Sequence, residues 1–326
     1  MACTGRVRPV PDELTTTPFT RARARELGVT DRQLEGARFV RLFPRVHRYA
    51  GHDMTDADWV LAARLAMPDG VHLTGITRLQ QLGLDFGPRR PIRFVVGSDL
   101  HLALPGIFLH RTKRLPPTDE VGVVPAAAYL AYCARARTID AIKVGDWLLR
   151  EGHVSLAELR ALALSALWRD GAHEAVWVLD HLDGRSRSLK ESETRSVLSF
   201  AGLPKPQVNV AVDVQEPVEV IGDLVYRDQR LVVEYEGAQH QTDRRQYSSD
   251  LDRYALMRAA GVSYVQVTKE RLDRPQTLVG DVYRALLACG YTGPVPVLGE
   301  HWRQLFLPLS VAVGPRRDRI AGRAVS

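Results

Sequence analysis

Two acidic residues follow a short apolar run in the stretch LVVEYEGAQH of this 326-residue chain. Leu231 to Val233 is typical of a buried strand, and Glu234 and Glu236 come directly after it. Residues two apart on a strand lie on the same face, so we expect these two carboxylates to be neighbours. A polar strand end in water would explain them simply. A metal site would explain them chemically, because clustered carboxylates repel one another and a divalent cation relieves that repulsion.

The surrounding elements add two further acids to this pair. The text VEVIGDLVYRDQRLVVEYEG predicts a hairpin that turns near Asp228 and can bring Asp223 across from the pair Glu234 and Glu236. Glu191 lies near the start of the preceding amphipathic helix and can reach the same place, although a capping box with Ser188 would also explain it. Oxygen ligands are those that Mg²⁺ and Mn²⁺ prefer, so the residues predict a site for one of these ions.

The predicted element order of this region is α-β-β-β-α-β, with QVNVAVDV as the first strand and VSYVQVT as the last. With its acids, this order resembles the PD-(D/E)xK nuclease superfamily. The motifs SLKES, GLP, VEYEG with a following histidine, and D..R resemble one branch, the proteins similar to very-short-patch (Vsr) repair endonucleases. The resemblance implies a helix acid at Glu191, metal ligands at Asp223 and Glu234, and a third ligand in the Tyr235 carbonyl.

The chain departs from the superfamily pattern at one position. Glu236 stands where the superfamily usually has a lysine, and the repair-endonuclease branch shares this departure and keeps an acid, a glycine and then a histidine. The resemblance therefore implies a proton-transfer or phosphate-contacting role for His240. It also implies that Asp250 and Arg253 brace the site or hold a phosphate. Separately, these residues have simple explanations, a loop histidine and an i,i+3 surface pair.

The N-terminal text TRARARELGVTDRQLEGARFVRLFPRVHRYAG predicts two short helices and a hairpin, the order of a winged helix-turn-helix. Thr20 can cap the first helix and Gly28 can end it. Thr30 and Gln33 form a capping-box motif for the second helix, which we expect to extend to about Ala37. The same text resembles the N-terminal domain of AbiEi-type antitoxins, DNA-binding autorepressors of toxin–antitoxin pairs, and looser similarity extends to about residue 164.

Basic residues are concentrated on the second helix and the hairpin. In a helix-turn-helix the second helix enters the major groove, and neighbouring arginines hold phosphates. The predicted DNA contacts are Arg32, Gln33, Arg38, Arg41, Arg45 and Arg48, with Glu35 also presented by the second helix and His47 as a further phosphate contact on the hairpin. Simple solvation of a small domain is the alternative explanation for these arginines.

The fold class expected from these patterns is α/β, or α+β overall. We predict a flexible arm (1–17), a winged helix-turn-helix (18–53), an AbiEi-like mixed α/β and helical middle region (54–184), a restriction-endonuclease-like αβββαβ domain (185–293) and a basic tail (294–326). The middle region includes a predicted helix capped at Thr55 and another capped at Ser155.

Composition indicates a globular protein, and its basic balance mildly favours a polyanionic partner, although the arginine bias also fits a GC-rich genome. Hydrophobic residues make up 45% and charged residues 25% of the chain, and the net charge is +6. Three scattered cysteines and the lack of an apolar leader or membrane span predict a cytoplasmic protein.

Two functions remain open at this point: a Mg²⁺- or Mn²⁺-dependent DNA endonuclease, and an antitoxin-like regulator with a degenerate nuclease fold and a cognate toxin encoded nearby. A mismatch-specific repair enzyme is less favoured, because the sequence lacks the zinc ligands and intercalating residues that such specificity would need. The sequence does not indicate the DNA site or the oligomeric state.

Overall fold

The computed structural model describes residues 9–214, 220–236 and 253–314 of the chain. Two compact units are present, an N-terminal unit of residues Met1–Val124 and a C-terminal unit of residues Pro125–Ser326. The described parts are mixed α/β, with helices and three small sheets. This division does not coincide with the finer boundaries expected from the sequence, which stay predictions.

The N-terminal unit begins with two short helices and a three-stranded sheet of order β1-β3-β2. Its elements are β1 (Phe19–Thr20), α1 (Arg21–Glu26), α2 (Asp31–Leu34), β2 (Phe39–Phe43) and β3 (Val46–Tyr49). The Thr20 side chain caps α1 and Gly28 follows it at φ 79°, both as predicted. Thr30 and Gln33 form the predicted capping box of α2.

The second helix differs from its predicted length. It ends at Leu34 rather than near Ala37, because the chain turns at Gly36, whose N–H donates to the Gln33 carbonyl oxygen at 3.1 Å. Leu34 packs in a small core with Phe19 and Phe39. The two-residue strand β1, which pairs with β3, was not expected from the sequence.

The hairpin between β2 and β3 has an arginine where the backbone is left-handed. Arg45 has φ 64°, a conformation that glycine adopts at little cost and that a residue with a Cβ rarely adopts. The hairpin tip therefore lacks glycine, as the sequence indicates, and Arg45 takes the left-handed position itself.

The rest of the N-terminal unit packs a helix on a second sheet of order β4-β5-β6. Its elements are α3 (Asp56–Ala66), β4 (Val71–Leu73), α4 (Gly75–Gln80), β5 (Ile92–Val96) and β6 (Ile107–Arg111). Thr55 caps α3 as predicted. Val60 and Ala63 of α3 share a hydrophobic core with Phe94 of β5.

The C-terminal unit begins with four helices, in agreement with the mainly helical pattern of residues 126–182. They are α5 (Pro125–Cys133), α6 (Thr138–Arg150), α7 (Leu156–Ser165) and α8 (Ala172–Val178). Ser155 caps α7, as predicted.

The helix that carries Glu191 is α9 (Leu189–Phe200). A buried ion pair fixes it to α6: Arg195 Nη2 lies 2.6 Å from Asp146 Oδ2, and both side chains are almost fully buried. Burial raises the pKa of Asp146, and the Arg195 guanidinium opposes that rise. The carboxylate also accepts a hydrogen bond from the Asp183 N–H at 2.6 Å, so α9 is held firmly where it approaches the sheet.

Four strands form the sheet of the C-terminal unit, in the order β10-β9-β8-β7. They are β7 (Gln207–Val212), β8 (Val220–Tyr226), β9 (Leu231–Tyr235) and β10 (Ser263–Val267). The pairs β7–β8 and β8–β9 are antiparallel and β10 is parallel to β9. Residues 253–259 form a helix, here α10, whose Met257 packs against Val225 and Val232. The described elements thus follow the predicted order α-β-β-β-α-β.

Four further helices complete the described chain. They are α11 (Lys269–Leu272), α12 (Pro275–Ala288), α13 (Glu300–Gln304) and α14 (Leu309–Val313), and α12 is the longest of them. None of the helices within the described ranges combines the length and the apolar character needed to cross a membrane.

Candidate functional site

Asp223 and Glu234 lie on adjacent antiparallel strands. Leu224 of β8 pairs with Val233 of β9, and the same register continued by one residue places Asp223 beside Glu234. A direct contact supports this placement, because the Tyr235 N–H donates to Asp223 Oδ2 at 2.9 Å. The structure therefore brings together the two carboxylates that the sequence places on paired strands.

Glu234 is buried, and only one of its two carboxylate oxygens accepts hydrogen bonds within the described structure. Its side chain is 3% exposed, and its Oε2 accepts hydrogen bonds from the Arg253 guanidinium and, at 3.5 Å, from the Tyr254 hydroxyl. Its Oε1 is buried and has no hydrogen-bond donor among the described residues. An unpaired buried acceptor costs about 1–3 kcal/mol. Glu234 therefore has one oxygen held by α10 and one oxygen available to a ligand.

Arg253 was predicted to brace the site or to contact DNA. Its guanidinium binds Glu234, so α10 supplies the positive charge nearest to this carboxylate in the described structure. The contact neutralises part of the charge that a metal ion would otherwise balance. Bracing is the role that the geometry of Arg253 favours.

The carboxyl group of Asp223 has an unusual proton affinity. Burial raises its pKa to about 6, the nearby Glu191 carboxylate also acts to raise it, and the Tyr235 N–H and two arginines oppose the shift. Burial and a like charge both disfavour the ionised form. A cation bound beside Asp223 would reverse both effects, because it would favour the carboxylate.

Glu191 combines a structural contact with a position near Asp223. The Ser188 hydroxyl accepts from the Glu191 N–H at 3.1 Å, which caps α9. Glu191 Oε2 accepts from the Arg187 N–H at 2.8 Å and from the Asn209 side-chain amide at 2.7 Å. The capping explanation therefore holds in part, and the charge of Glu191 still acts on Asp223.

Asn209 of β7 is a residue that the sequence analysis did not single out. In the sequence, only its position among the valines of QVNVAV sets it apart. In the structure, its φ is 49°. It lies between Val208, which pairs with Leu224, and Val210, which pairs with Gly222, and so it lies opposite Asp223. The row Asn209, Asp223 and Glu234 therefore runs across three strands.

Three predicted residues of the site, Glu236, His240 and Asp250, lie beyond the end of β9 in the sequence. β9 ends at Tyr235, so Glu236 lies just beyond the strand rather than on it, and its N–H donates to the Val267 carbonyl oxygen at 2.9 Å. We expected Glu234 and Glu236 to lie on the same face of one strand, but β9 ends before Glu236. His240 and Asp250 lie outside the described residues.

The oxygen atoms of this site are of the kind that could hold a hard divalent cation. Asp223 and Glu234 supply carboxylates, and Tyr235 supplies the predicted main-chain carbonyl, the set that Mg²⁺ and Mn²⁺ prefer. The orphaned Oε1 of Glu234 is the observation that favours such an ion. Within the described ranges no three or more His, Cys, Asp or Glu side chains form a cluster suited to a metal, so a cation here would need further oxygen ligands.

The predicted DNA contacts of the N-terminal unit fall into two groups. Arg32, Arg41 and Arg45 are exposed, and none of them has an acidic partner among the described residues. Gln33 Oε1 instead accepts from the Thr30 N–H at 2.7 Å, and Arg48 Nη1 donates to three main-chain carbonyls. Arg38 is half-buried. The first group is free to meet phosphates, whereas Gln33 and Arg48 already stabilise α2 and the end of β3.

His47 is a core residue rather than a surface one. It is 8% exposed, pairs with Arg41 across β2 and β3, and stacks on Phe19 with ring centroids 6.3 Å apart. Burial lowers its pKa, and the charges of Arg41 and Arg21 lower it further. The neutral imidazole packs the sheet, and a direct phosphate contact is not its role in this geometry.

Comparison with known proteins finds distant relatives. Two uncharacterized proteins of Mycobacterium tuberculosis, from the strains CDC 1551 / Oshkosh and H37Rv, are each 25% identical to this chain over 205 residues. The matched part covers 57% of this chain and 73% of each relative. No family model and no solved structure matches the chain. Functional inference therefore depends on the geometry of the chain itself.

Proposed function

We propose that the protein is a metal-dependent DNA endonuclease with a Vsr-like, restriction-endonuclease-type C-terminal domain. The observation that carries this proposal is the contact between Asp223 and the Tyr235 N–H, beside a buried Glu234 with an unpaired carboxylate oxygen. Arg253 binds only one oxygen of Glu234, and an oxygen-preferring cation would offset the charge of Asp223 as well.

Asp223 and Glu234 would hold Mg²⁺ or Mn²⁺, with the Tyr235 carbonyl as a further oxygen. When bound, such an ion would supply Lewis-acid stabilisation of the negative charge that develops on the phosphate. The protein residues orient and hold the site. Arg253 fixes one oxygen of Glu234, and α9 places Glu191 beside Asp223. His240 keeps its proposed proton-transfer role, and it lies outside the described residues.

The N-terminal unit supplies affinity for DNA in this proposal. Short helices followed by a hairpin are the order of a winged helix-turn-helix, and Arg32, Arg41 and Arg45 are exposed on that part of the chain. Exposed arginines attract the phosphate backbone and contribute affinity that depends on salt rather than on sequence.

A second candidate function, an antitoxin-like transcriptional regulator with a degenerate nuclease fold, is favoured by one specific contact. Arg253 already neutralises the Glu234 carboxylate, and a guanidinium in that place can substitute for a metal ion structurally. The partner in this case would be a cognate toxin, and a nucleotidyltransferase-type toxin encoded beside this gene would support it.

Plasmid cleavage tests the endonuclease proposal. The full chain should nick or linearise plasmid DNA in Mg²⁺ or Mn²⁺, and Asp223→Asn should abolish this activity while it keeps an acceptor for the Tyr235 N–H. Asp228→Asn makes the same change at an exposed position in the turn between β8 and β9, and it should retain activity. Equal activity in the wild type and Asp223→Asn would overturn the enzyme proposal.

Promoter binding tests the regulator proposal. Fluorescence anisotropy with the protein's own promoter should show weaker binding for Arg32→Ala and unchanged binding for Arg64→Ala, an exposed arginine on α3. Strong promoter binding together with no cleavage would favour the regulator. Undiminished binding by Arg32→Ala would contradict the assignment of α2 as a DNA-reading helix.

A further inference from the structure

Asn209 holds an orientation that its hydrogen bonds determine without ambiguity. Its side-chain Nδ2 donates to the Arg185 carbonyl oxygen at 2.8 Å and to Glu191 Oε2 at 2.7 Å. Both partners only accept hydrogen bonds in this state, so the amide nitrogen and not the oxygen must face them. Both N–H groups of the amide are thereby used.

The carbonyl oxygen of the same side chain has no such partner. Asn209 Oδ1 is buried and lacks a donor among the described residues. Buried carbonyl oxygens are nearly always hydrogen-bonded or coordinated, so an orphaned one is a place for an ordered water molecule or a cation. Glu234 Oε1, two strands away in the same row, is a second buried acceptor without a donor in the described structure.

The backbone of Asn209 adds a further sign of a specialised position. Its φ of 49° lies in the left-handed region, which asparagine tolerates better than most residues but which interrupts a regular strand. Local strain of this kind persists where surrounding contacts impose it, and it is concentrated at functional sites. Here it accompanies the contacts to Arg185 and Glu191.

We propose that Asn209 belongs to the cation site: its amide nitrogen positions Glu191, and its Oδ1 is an oxygen ligand on the β7 side of Asp223. This inference rests on the proposed metal-dependent function and extends it by a neutral ligand from a third strand. Amide and carbonyl oxygens are regular ligands of hard divalent cations. A neutral oxygen at this position adds coordination without adding repulsion between Glu191 and Asp223.

Mn²⁺ binding to the full chain, measured by isothermal titration calorimetry, tests this role separately from catalysis. Asn209→Gly removes the side chain at a position whose φ glycine accepts, and it should weaken Mn²⁺ binding by about tenfold or more. Gln207→Gly removes an exposed amide from the same strand and should bind Mn²⁺ as the wild type does.

A second variant keeps the test decisive if Asn209→Gly does not fold. Asn209→Asp retains the shape but loses both donors and adds a carboxylate next to Glu191 and Asp223. Its melting temperature should be lower than that of the wild type in EDTA, and Mn²⁺ should raise it by more than it raises the wild-type value. Gln207→Glu, the same chemical change two residues away, should behave as the wild type.

The outcomes separate this inference from the function on which it rests. Weaker Mn²⁺ binding by Asp223→Asn, with wild-type binding by Asn209→Gly and a wild-type Mn²⁺ response in Asn209→Asp, would overturn the role of Asn209 alone. A wild-type protein that binds no Mn²⁺, or an Asp223→Asn variant that binds it undiminished, would overturn the proposed function and this inference together.

Discussion

The charged side chains of the two candidate sites differ in burial. In the N-terminal unit, Arg32, Arg41 and Arg45 are exposed around α2 and the hairpin. In the C-terminal unit, Glu191 and Glu234 are buried, with Asp223 partly buried between them. Exposed charges are inexpensive and act at a distance, whereas buried charges are costly unless a partner compensates them. The first arrangement suits attraction of a polyanion, and the second suits capture of a small counter-charge.

The largest expected effect comes from removal of the counter-charge that the C-terminal unit already has. Arg253→Met leaves Glu234 buried without its guanidinium partner. We expect the free energy of unfolding to fall by about 3 kcal/mol, near the lower end for broken buried pairs because the Arg253 side chain is 32% exposed. Urea unfolding in EDTA measures this decrease.

Arg258→Met is the matched control for this change. Arg258 is exposed on the same helix, and its replacement should alter stability by less than about 0.5 kcal/mol. Mn²⁺ should restore part of the stability of Arg253→Met, since a cation can replace the guanidinium. No recovery in Mn²⁺ would favour the degenerate, regulatory function over the enzyme.

The next effect concerns the pH dependence of stability. The pKa of Asp223 is raised from 3.8 to about 6 in the folded protein, so the folded state binds this proton more tightly than the unfolded state. The stability that this group contributes is present below about pH 4 and is lost as the pH rises through about 6. Asp223→Asn removes that dependence, because the amide does not ionise.

Denaturant titrations in EDTA at several pH values measure this effect. We compare the free energy of unfolding of Asp223→Asn with that of the wild type at each pH. The difference should shift in favour of Asp223→Asn by on the order of 1–3 kcal/mol between about pH 4 and pH 7. Asp228→Asn, at an exposed position, should run parallel to the wild type. Parallel curves for Asp223→Asn would show that its carboxyl group is not buried beside Glu191.

The same contrast explains which features the sequence could predict. Helix caps at Thr20, Thr30 and Thr55 were predictable because capping depends on residues three positions apart. The strands around Asp223 and Glu234 were predictable from their apolar runs and the polar turn between them. In each of these cases, local sequence decides local structure.

Interactions between distant residues account for the features that the sequence did not predict. The pairing of β1 depends on its register with β3, in which Phe19 lies opposite His47. The contact of Arg253 with Glu234 joins residues 19 positions apart, and that of Asn209 with Glu191 joins residues 18 apart. Periodicity in the sequence does not predict such pairings. The resemblance to nucleases implied a bracing role for Arg253 without naming Glu234 as its partner, and it did not include Asn209.

A smaller effect is expected from the cap of the second helix. Thr30→Ala removes the oxygen that accepts from the Gln33 N–H at 3.4 Å and the hydrogen bond to the Gln33 side chain. Removal of an N-cap costs about 1 kcal/mol. Thermal unfolding of the full chain should show this cost in the transition that reports the N-terminal unit, whereas Thr16→Ala, at an exposed position before β1, should not.

The smallest effect, at any single salt concentration, is expected on DNA affinity when arginines of the β2–β3 hairpin are removed. Arg41→Gln and Arg45→Gln each remove one exposed cation. Each phosphate that an arginine neutralises contributes about 0.9 to the slope of log affinity against log salt. The double variant should therefore reduce the magnitude of that slope by about 2. Affinity for unrelated duplexes should fall as much as affinity for the target, because phosphates carry no sequence information. Anisotropy titrations at several salt concentrations measure the slope, and Arg64→Gln on α3 provides the control. An unchanged slope in the double variant would place the DNA elsewhere, and the exposed charge of the N-terminal unit would then serve only its solvation.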